Sequence, residues 1–425
     1  MNRLAPQLAF VIFLAATGCK HTEPNYCEDV PVTHNCMDKI DADSSCSGNA
    51  QCSGATPICD VGGSKACVQC TTADATACSG ATPVCGTSKT CERCTMHAQC
   101  SSSVCLPDGS CSDGTNVAYV AVNGSGGACT KAMPCGTLAA AISTSKSVVK
   151  MAAGIVKGTT TTTIDGKAVT ILADPGAKLD RDGDGPILEV RSASADVKIY
   201  DLEITGASGV AGADGVDLVP NGGMPKLALT HVKVASNQGA GIAATGGQLT
   251  VSQSTISGNL GGGVSITNAD FNIVNNFIMR NGDPNNGTIG GASLTFTGTG
   301  VNRFEFNTVV DNNIKNTALQ AAGVTCDTAG FSSPNNIISR NLVGSGATKP
   351  NANTLGVCTY PTAAIAPTVT ALKFASADST PYDYHLTAGS SAIDQATTAS
   401  TVNVDIDGDL RPQGAKPDIG ADEAP

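Results

Sequence analysis

The 425-residue chain has no tryptophan, nine phenylalanines and six tyrosines. Exposed aromatic rings commonly stack on sugars, so their scarcity weighs against a stacking-type glycan surface. Only 14% of residues are charged, and 25 Lys and Arg stand against 36 Asp and Glu, a net charge of −11. Phosphate backbones need clustered Lys and Arg, so nucleic acid is excluded as a partner. No apolar stretch is long enough for a membrane span. No G-x-S-x-G, H-E-x-x-H or phosphate loop is present. The apolar fraction of 41% is too high for general disorder. The length fits two or three domains, or one elongated solenoid.

What the chain has in quantity is glycine (48) and cysteine (19). Many glycines with few aromatics point to tight turns at short intervals around a core of small aliphatic side chains. The cysteines point to an oxidising compartment. Residues 1–18 fit a signal peptide, with Arg3 at its start and Leu8 to Ala16 as its apolar stretch. Its end, Leu14-Ala15-Ala16-Thr17-Gly18-Cys19, resembles the lipobox of bacterial lipoproteins. The resemblance implies acylation of Cys19 and a lipid hold on a membrane. Lys20 follows, where an Asp would resemble an inner-membrane retention signal, so the outer membrane or cell surface is expected. Residues 19–45 are read as a linker.

Residues 46–111 read as a cysteine-rich stalk with an internal repeat. Cys52-Ser-Gly-Ala-Thr-Pro-Ile-Cys59 returns as Cys78-Ser-Gly-Ala-Thr-Pro-Val-Cys85, each followed by a C-x-x-C at Cys67/Cys70 and Cys91/Cys94. A degenerate third copy runs from Cys100 to Cys111. With almost no large apolar residues the segment must be stapled. The two C-x-x-C pairs also fit a four-cysteine zinc pattern. Export, tandem repetition and the many other cysteines favour disulfides.

From Asn116 the composition shifts to Gly, Asn, Val, Ile and Thr. A strand opens at Ala118 to Val122, and Pro134 to Ile142 reads as a capping helix with Leu138, Ala141 and Ile142 on one face. Cys129 and Cys135 are close enough in sequence for a local disulfide. Asparagines recur at Asn237, Asn259, Asn281, Asn312 and Asn341. Each lies between an alternating strand and a later glycine with a short strand. A period near 22 with three short strands per turn is the signature of a parallel β-helix. The asparagines would sit at the turns, stacking their amides and tolerating left-handed backbone angles. The pattern resembles the right-handed parallel β-helix of the pectin-lyase-like superfamily over roughly residues 117–360. The fold class expected is all-β: a right-handed parallel β-helix solenoid behind a small disulfide-rich repeat segment.

The last stretch, 361–425, carries Asp383-Tyr-His-Leu386, Gly389-Ser-Ser-Ala-Ile-Asp394, Asp405-Ile-Asp-Gly-Asp-Leu-Arg-Pro-Gln413 and Pro417-Asp-Ile-Gly-Ala-Asp-Glu423. These resemble the choice-of-anchor Q domain that ends many bacterial surface β-helix proteins beside varied anchoring signals. No sorting signal is expected after Pro425, so the N-terminal lipid would be the anchor. Cys326 and Cys358 are expected to pair across the last coils.

Enzymes of the superfamily resemble one another in placing carboxylates, often with Arg or Lys, on outward faces of adjacent coils. Here the outward positions read Asp217, Ala243, Ser265, Ser293 and Thr325 on one strand. They read Glu203, Lys233, Thr255, Phe277 and Thr308 on another. No carboxylate cluster is expected on either. The residual catalytic candidates are Asp201 and Glu203, aligned with His231 and Lys233 in the next coil, as an acid/base set or as surface ion contacts. Ca²⁺ is the one candidate cofactor. Asp180, Asp182 and Asp184 resemble half of a calcium loop, although the twelfth position is Arg191 rather than Glu, and Asp405, Asp407 and Asp409 form a second triplet. The functional expectation is a cell-surface lipoprotein that binds an extracellular polysaccharide or a partner surface protein. A polysaccharide lyase or hydrolase, and a structural envelope component, are the alternatives.

Overall fold

The computed structural model describes residues 45–181, 183–209, 212–296, 300, 302–315, 321–344, 352–365, 369–397 and 399–425. The described residues form two compact units. One comprises 45–78 with 85–91, the other 79–84 with 92–425. No helix among the described residues is long and apolar enough to cross a membrane.

The cysteines from Cys46 to Cys111 make six disulfides: 46–59, 52–67, 70–85, 78–91, 94–105 and 100–111. In each set of four the first bonds the third and the second bonds the fourth. Three successive interleaved repeats result. In the first, Ile58–Cys59 pairs antiparallel with Cys67–Val68. The two C-x-x-C motifs are therefore junctions between repeats and not binding units: Cys67 and Cys70 belong to different staples, as do Cys91 and Cys94. With every thiol there bonded, the zinc alternative has no thiolates left to use. Residues 46–111, read from the sequence as one stalk, fall in both units. The third repeat belongs to the unit that holds the β-helix. Tyr119 donates its hydroxyl to Ser102 O at 2.7 Å, and Val104 packs with Val117, Val148 and Leu172.

From Val117 to Gly356 the chain winds through three parallel sheets of eight strands each. A typical coil places Asp196–Tyr200 in the first sheet, Glu203–Thr205 in the second and Val216–Val219 in the third. The next coil repeats this with Lys226–Thr230, Lys233–Ala235 and Ala240–Ala244. This is the parallel β-helix. Side chains alternate in and out along each strand. The inward column Ile204, Val234, Ile256, Ile278, Val309 and Ile338 is stacked residue on residue and fully buried. Each such side chain contributes about 1.5–3 kcal/mol of transfer free energy. The helix Leu138–Ile142, capped by Thr137 accepting from Ala140 N at 3.2 Å, joins the core with Leu138 and Ala141 buried. Cys129–Cys135 and Cys326–Cys358 are bonded.

Two amide ladders fix the corners. At the turn from second to third sheet, Asn237 donates to Asn259, Asn259 to Asn281, Asn281 to Asn312 and Asn312 to Asn341, all at 2.9–3.0 Å. A second ladder, Asn276, Asn307 and Asn336, holds the turn from first to second sheet. The left-handed residue is not the ladder asparagine but the one before it: Ser236, Gly258, Arg280, Asp311 and Arg340 all have φ between 55° and 66°. The ladder residue itself stays out of that region, so that its amide points inward along the stack. The glycines after each motif have a separate cause. A Cβ on Gly263 would lie 2.4 Å from Gly291 O and 3.0 Å from the ladder nitrogen of Asn281.

The C-terminal segment does not extend the solenoid. It folds back over the outward face of the second sheet. Its Tyr384, Leu386, Ile406, Ile419 and Ala421 form a second core with outward Phe277, Val310 and Ile337 and the turn residue Phe306. Ala421 N donates to Thr308 Oγ1 at 3.0 Å, and Tyr384 donates to Asp311 at 2.5 Å. The motif residues tie the segment together. Arg411 meets Glu423 at 2.9 Å and donates to Asp418 O and Gly420 O. Asp405 accepts from the amides of Asp407, Asp409 and Glu423.

Candidate functional site

The turn between first and second sheets carries a second outward column, Asp201, His231, Gln253 and Asn275, which stand in register and all take φ of 51–61°. Different parts of the chain cover its two ends. Residues 94–98 and 105–107 of the third cysteine repeat stand over Asp174 and Asp201. Residues 381–385 and 406–407 of the C-terminal segment stand over Gln253 and Phe277. Gln253 donates to Asp405 O at 2.9 Å and Asn275 to Val404 O at 2.7 Å. Two cavities result, of about 1100 and 450 Å³, and His231 lines both. The two adjoin at His231, the first floored by Tyr200, Thr230 and Asp201 and the second by Lys233, Gln253 and Thr255, and this pair of adjoining cavities is the candidate cleft.

The four candidates from the sequence divide here. Asp201 faces His231 at 3.8 Å, each side chain about half exposed. Burial raises the Asp201 carboxyl above its ordinary range, against the opposing charges of His231, His97 and Lys150. Glu203 is an outward residue of the second sheet, held between Lys178 at 3.0 Å and Lys233 at 3.5 Å. It is locked in an ion ladder, while Lys233 also reaches the cleft. His97, invisible as a site residue in the sequence, enters from the cysteine repeat. Its Nδ1 accepts from Cys105 N at 3.1 Å, which leaves the proton of the neutral ring on Nε2. Burial, aided by the Lys150 charge, lowers its pKa, while Asp174 and Asp201 oppose. Lys150 is buried and paired with Asp174 at 2.6 Å; burial lowers its pKa as well.

A carboxylate cluster does occur on the third sheet, where none was expected. Glu189 lies opposite Asp217 in the next coil, and Asp214 hydrogen-bonds to Asp217. Burial, then the charge of Asp214, its hydrogen bond and the charge of Glu189 push Asp217 up to about 8. Burial raises Asp214 too, although Ala240 N donates to it at 2.5 Å. Asp217 Oδ1 is buried with no hydrogen-bond partner among the described residues. Arg191 joins this face, 3.2 Å from Glu189 and 2.9 Å from Asp165. The expectation failed because the outward column was started one coil late, at Asp217. The alternation Leu188-Glu189-Val190-Arg191 was the available signal.

Of the two acidic triplets, the second, Asp405, Asp407 and Asp409, points its side chains apart, and the first has a member that is not described. Asp182 lies outside the described residues. In the same loop Arg181 donates to the carbonyls of Asp184, Gly185 and Pro186. In the second triplet, buried Asp405 spends both oxygens on backbone amides. Asp409 is exposed, and Asp407 turns instead toward His385 and Asp422. Cys19 also lies outside the described residues.

The three parallel eight-stranded sheets make the fold a right-handed parallel β-helix behind disulfide-rich repeats. Residues 188–365 match the family model described as the right handed beta helix region. Residues 14–117 match the model of DUF8331, described as a family of unknown function. Among solved structures, the crystal structure of pectate lyase Pel9A is similar with a TM-score of 0.43 and 17% identity. That match covers 73% of this chain and 96% of that chain. No curated protein matches.

Proposed function

We propose that the cleft is a binding site for an extended extracellular glycan, and that the protein is a surface-attached binding protein held by a lipid on Cys19. The observation that carries this reading is the composition of the cleft. Its floor offers Asp201, His231, Lys233, Thr230 and Thr255, a mixture of donors and acceptors suited to sugar hydroxyls. Although aromatics are scarce, half-buried Tyr200 lines the first cavity and half-buried Tyr382 the second. A few convergent polar groups on an apolar lining are the general pattern of a ligand site. An array of neutral and acidic polysaccharides probed with the purified full chain tests it. Binding of at least one class is expected; a blank array overturns the reading.

The carboxyl cluster favours a second reading, glycan cleavage. A carboxyl held protonated at neutral pH can donate to a leaving oxygen while a neighbouring carboxylate activates water or attacks. Asp217 has the first property and Glu189 stands in the adjacent coil. Release of shortened glycan, abolished in Asp217→Asn, would support this reading. Intact substrate after prolonged incubation across the array would contradict it.

A further inference from the structure

The C-terminal segment brings three ligand-bearing side chains, distant in sequence, to one point in the wall of the cleft. His385 comes from the strand Asp383–Leu386, Asp407 from the turn after Asp405, and Asp422 from the final stretch. One ligand atom from each lies within 4.8 Å of the others. His385 Nε2 stands 3.0 Å from Asp407 Oδ2. Its other nitrogen, Nδ1, is 2.5 Å from Asp383 Oδ1. A carboxylate behind the ring is the usual device that fixes the tautomer of a metal-bound histidine. It holds the proton on Nδ1 and aims Nε2 at Asp407 and Asp422, where a bound metal would take the place of the Nε2 proton.

The ligands are also preset. Phe277 packs against the His385 ring at 5.0 Å with the planes perpendicular. Buried Asp422 is held by Leu386 N at 2.6 Å. Asp407 is 57% exposed, which leaves an entry path. In a tetrahedral site with bonds of about 2.0–2.1 Å, ligand atoms lie about 3.3 Å apart. The observed 3.0 Å between His385 and Asp407 therefore needs only a small opening.

We propose that His385, Asp407 and Asp422 bind a divalent transition-metal ion of the zinc class, with an open coordination position toward the cleft. One imidazole with two carboxylates suits zinc or manganese, whereas calcium seeks six to eight oxygens. The proposal stands independently of the glycan reading.

The test uses the untagged full chain, stripped with chelator and titrated calorimetrically with Zn²⁺, Mn²⁺ and Ca²⁺ in turn. Stoichiometric zinc binding is expected, with calcium much weaker. His385→Gln and Asp407→Asn should each weaken zinc binding by about tenfold or more, while Asp409→Asn leaves it unchanged. Circular dichroism and metal-free melting of the variants confirm that they fold. X-ray absorption of the zinc form should show nitrogen and oxygen donors only. Absence of saturable zinc binding, unchanged affinity in both folded variants, or sulfur donors would each overturn the proposal.

Discussion

Arg411 and Glu423 face each other at 2.9 Å with side chains 0% and 1% exposed. This buried pair joins two stretches of the C-terminal motif. Its guanidinium lies 4.6 Å over the Phe306 ring of the solenoid. Burial pulls the Arg411 pKa down and raises that of Glu423, so each depends on its partner. Removing one partner strands a buried charge, which costs about 3–5 kcal/mol, while removing both is often nearly neutral. Arg411→Met should therefore destabilise strongly, and adding Glu423→Leu should recover only the part due to the stranded charge, because the backbone groups the pair serves stay unpaired. Denaturant unfolding of the three proteins checks this. A double variant no better than the single contradicts it.

The Asn281 rung lies within the amide ladder, fully buried. It donates to Asn312 and to Ile256 O, and accepts from Asn259. Asn281→Ala leaves these groups without partners, at about 1–3 kcal/mol for each buried unsatisfied group. Asn353, which accepts from Asn341 at the ladder's end, should cost less when changed to Ala. Equal losses for the two variants would contradict a cooperative ladder.

Asp217 makes stability depend on pH in a definite direction. Its folded value of about 8 lies above the ordinary 3.8, so between those values the folded state holds the proton and the unfolded state does not. Stability from this group is full below pH 3.8 and is lost as pH rises toward 8. Asp217→Asn should therefore gain stability over the parent as pH rises through that window, with the gap constant above it. Because Asp214 shares a hydrogen bond with Asp217, the gap belongs to both carboxyls. A gap independent of pH contradicts the assignment.

The disulfide pattern is directly observable. Non-reducing peptide mapping should recover Cys52–Cys67, Cys70–Cys85 and Cys78–Cys91 linkages, and no Cys67–Cys70 bond. Loss of a native disulfide from so small a core costs about 2–5 kcal/mol. Cys70→Ser with Cys85→Ser should unfold the second repeat, read as new protease sensitivity between residues 70 and 91. Resistance there would contradict the staple account.

The solenoid was legible because its order is local. The intervals between Asn237, Asn259, Asn281, Asn312 and Asn341 gave the coil length, and the outward columns followed in register. The second ladder at Asn276, Asn307 and Asn336 has the same spacing and was overlooked. Attributing left-handed backbone to the asparagines failed for a physical reason. The side chain that reaches the next coil must leave from a residue outside the left-handed region, so the strain falls on its predecessor. The cleft was not legible at all. Its floor is periodic, but its walls come from residues 94–107 and 381–407, placed by packing that no local pattern encodes. Asp201 and His231 were visible as a pair without any sign that they lie in a cleft.

Glycan binding at the Asp201–His231 cleft is the central claim. Its most direct test is a binding titration of the strongest array ligand against the parent, His231→Ala and Lys233→Ala. Both side chains are about half exposed, so the fold should survive. The expected result is a loss of affinity of about tenfold in each variant, worth about 1.4 kcal/mol, with unchanged melting. Parental affinity in both variants would contradict the account and place the ligand elsewhere on the solenoid.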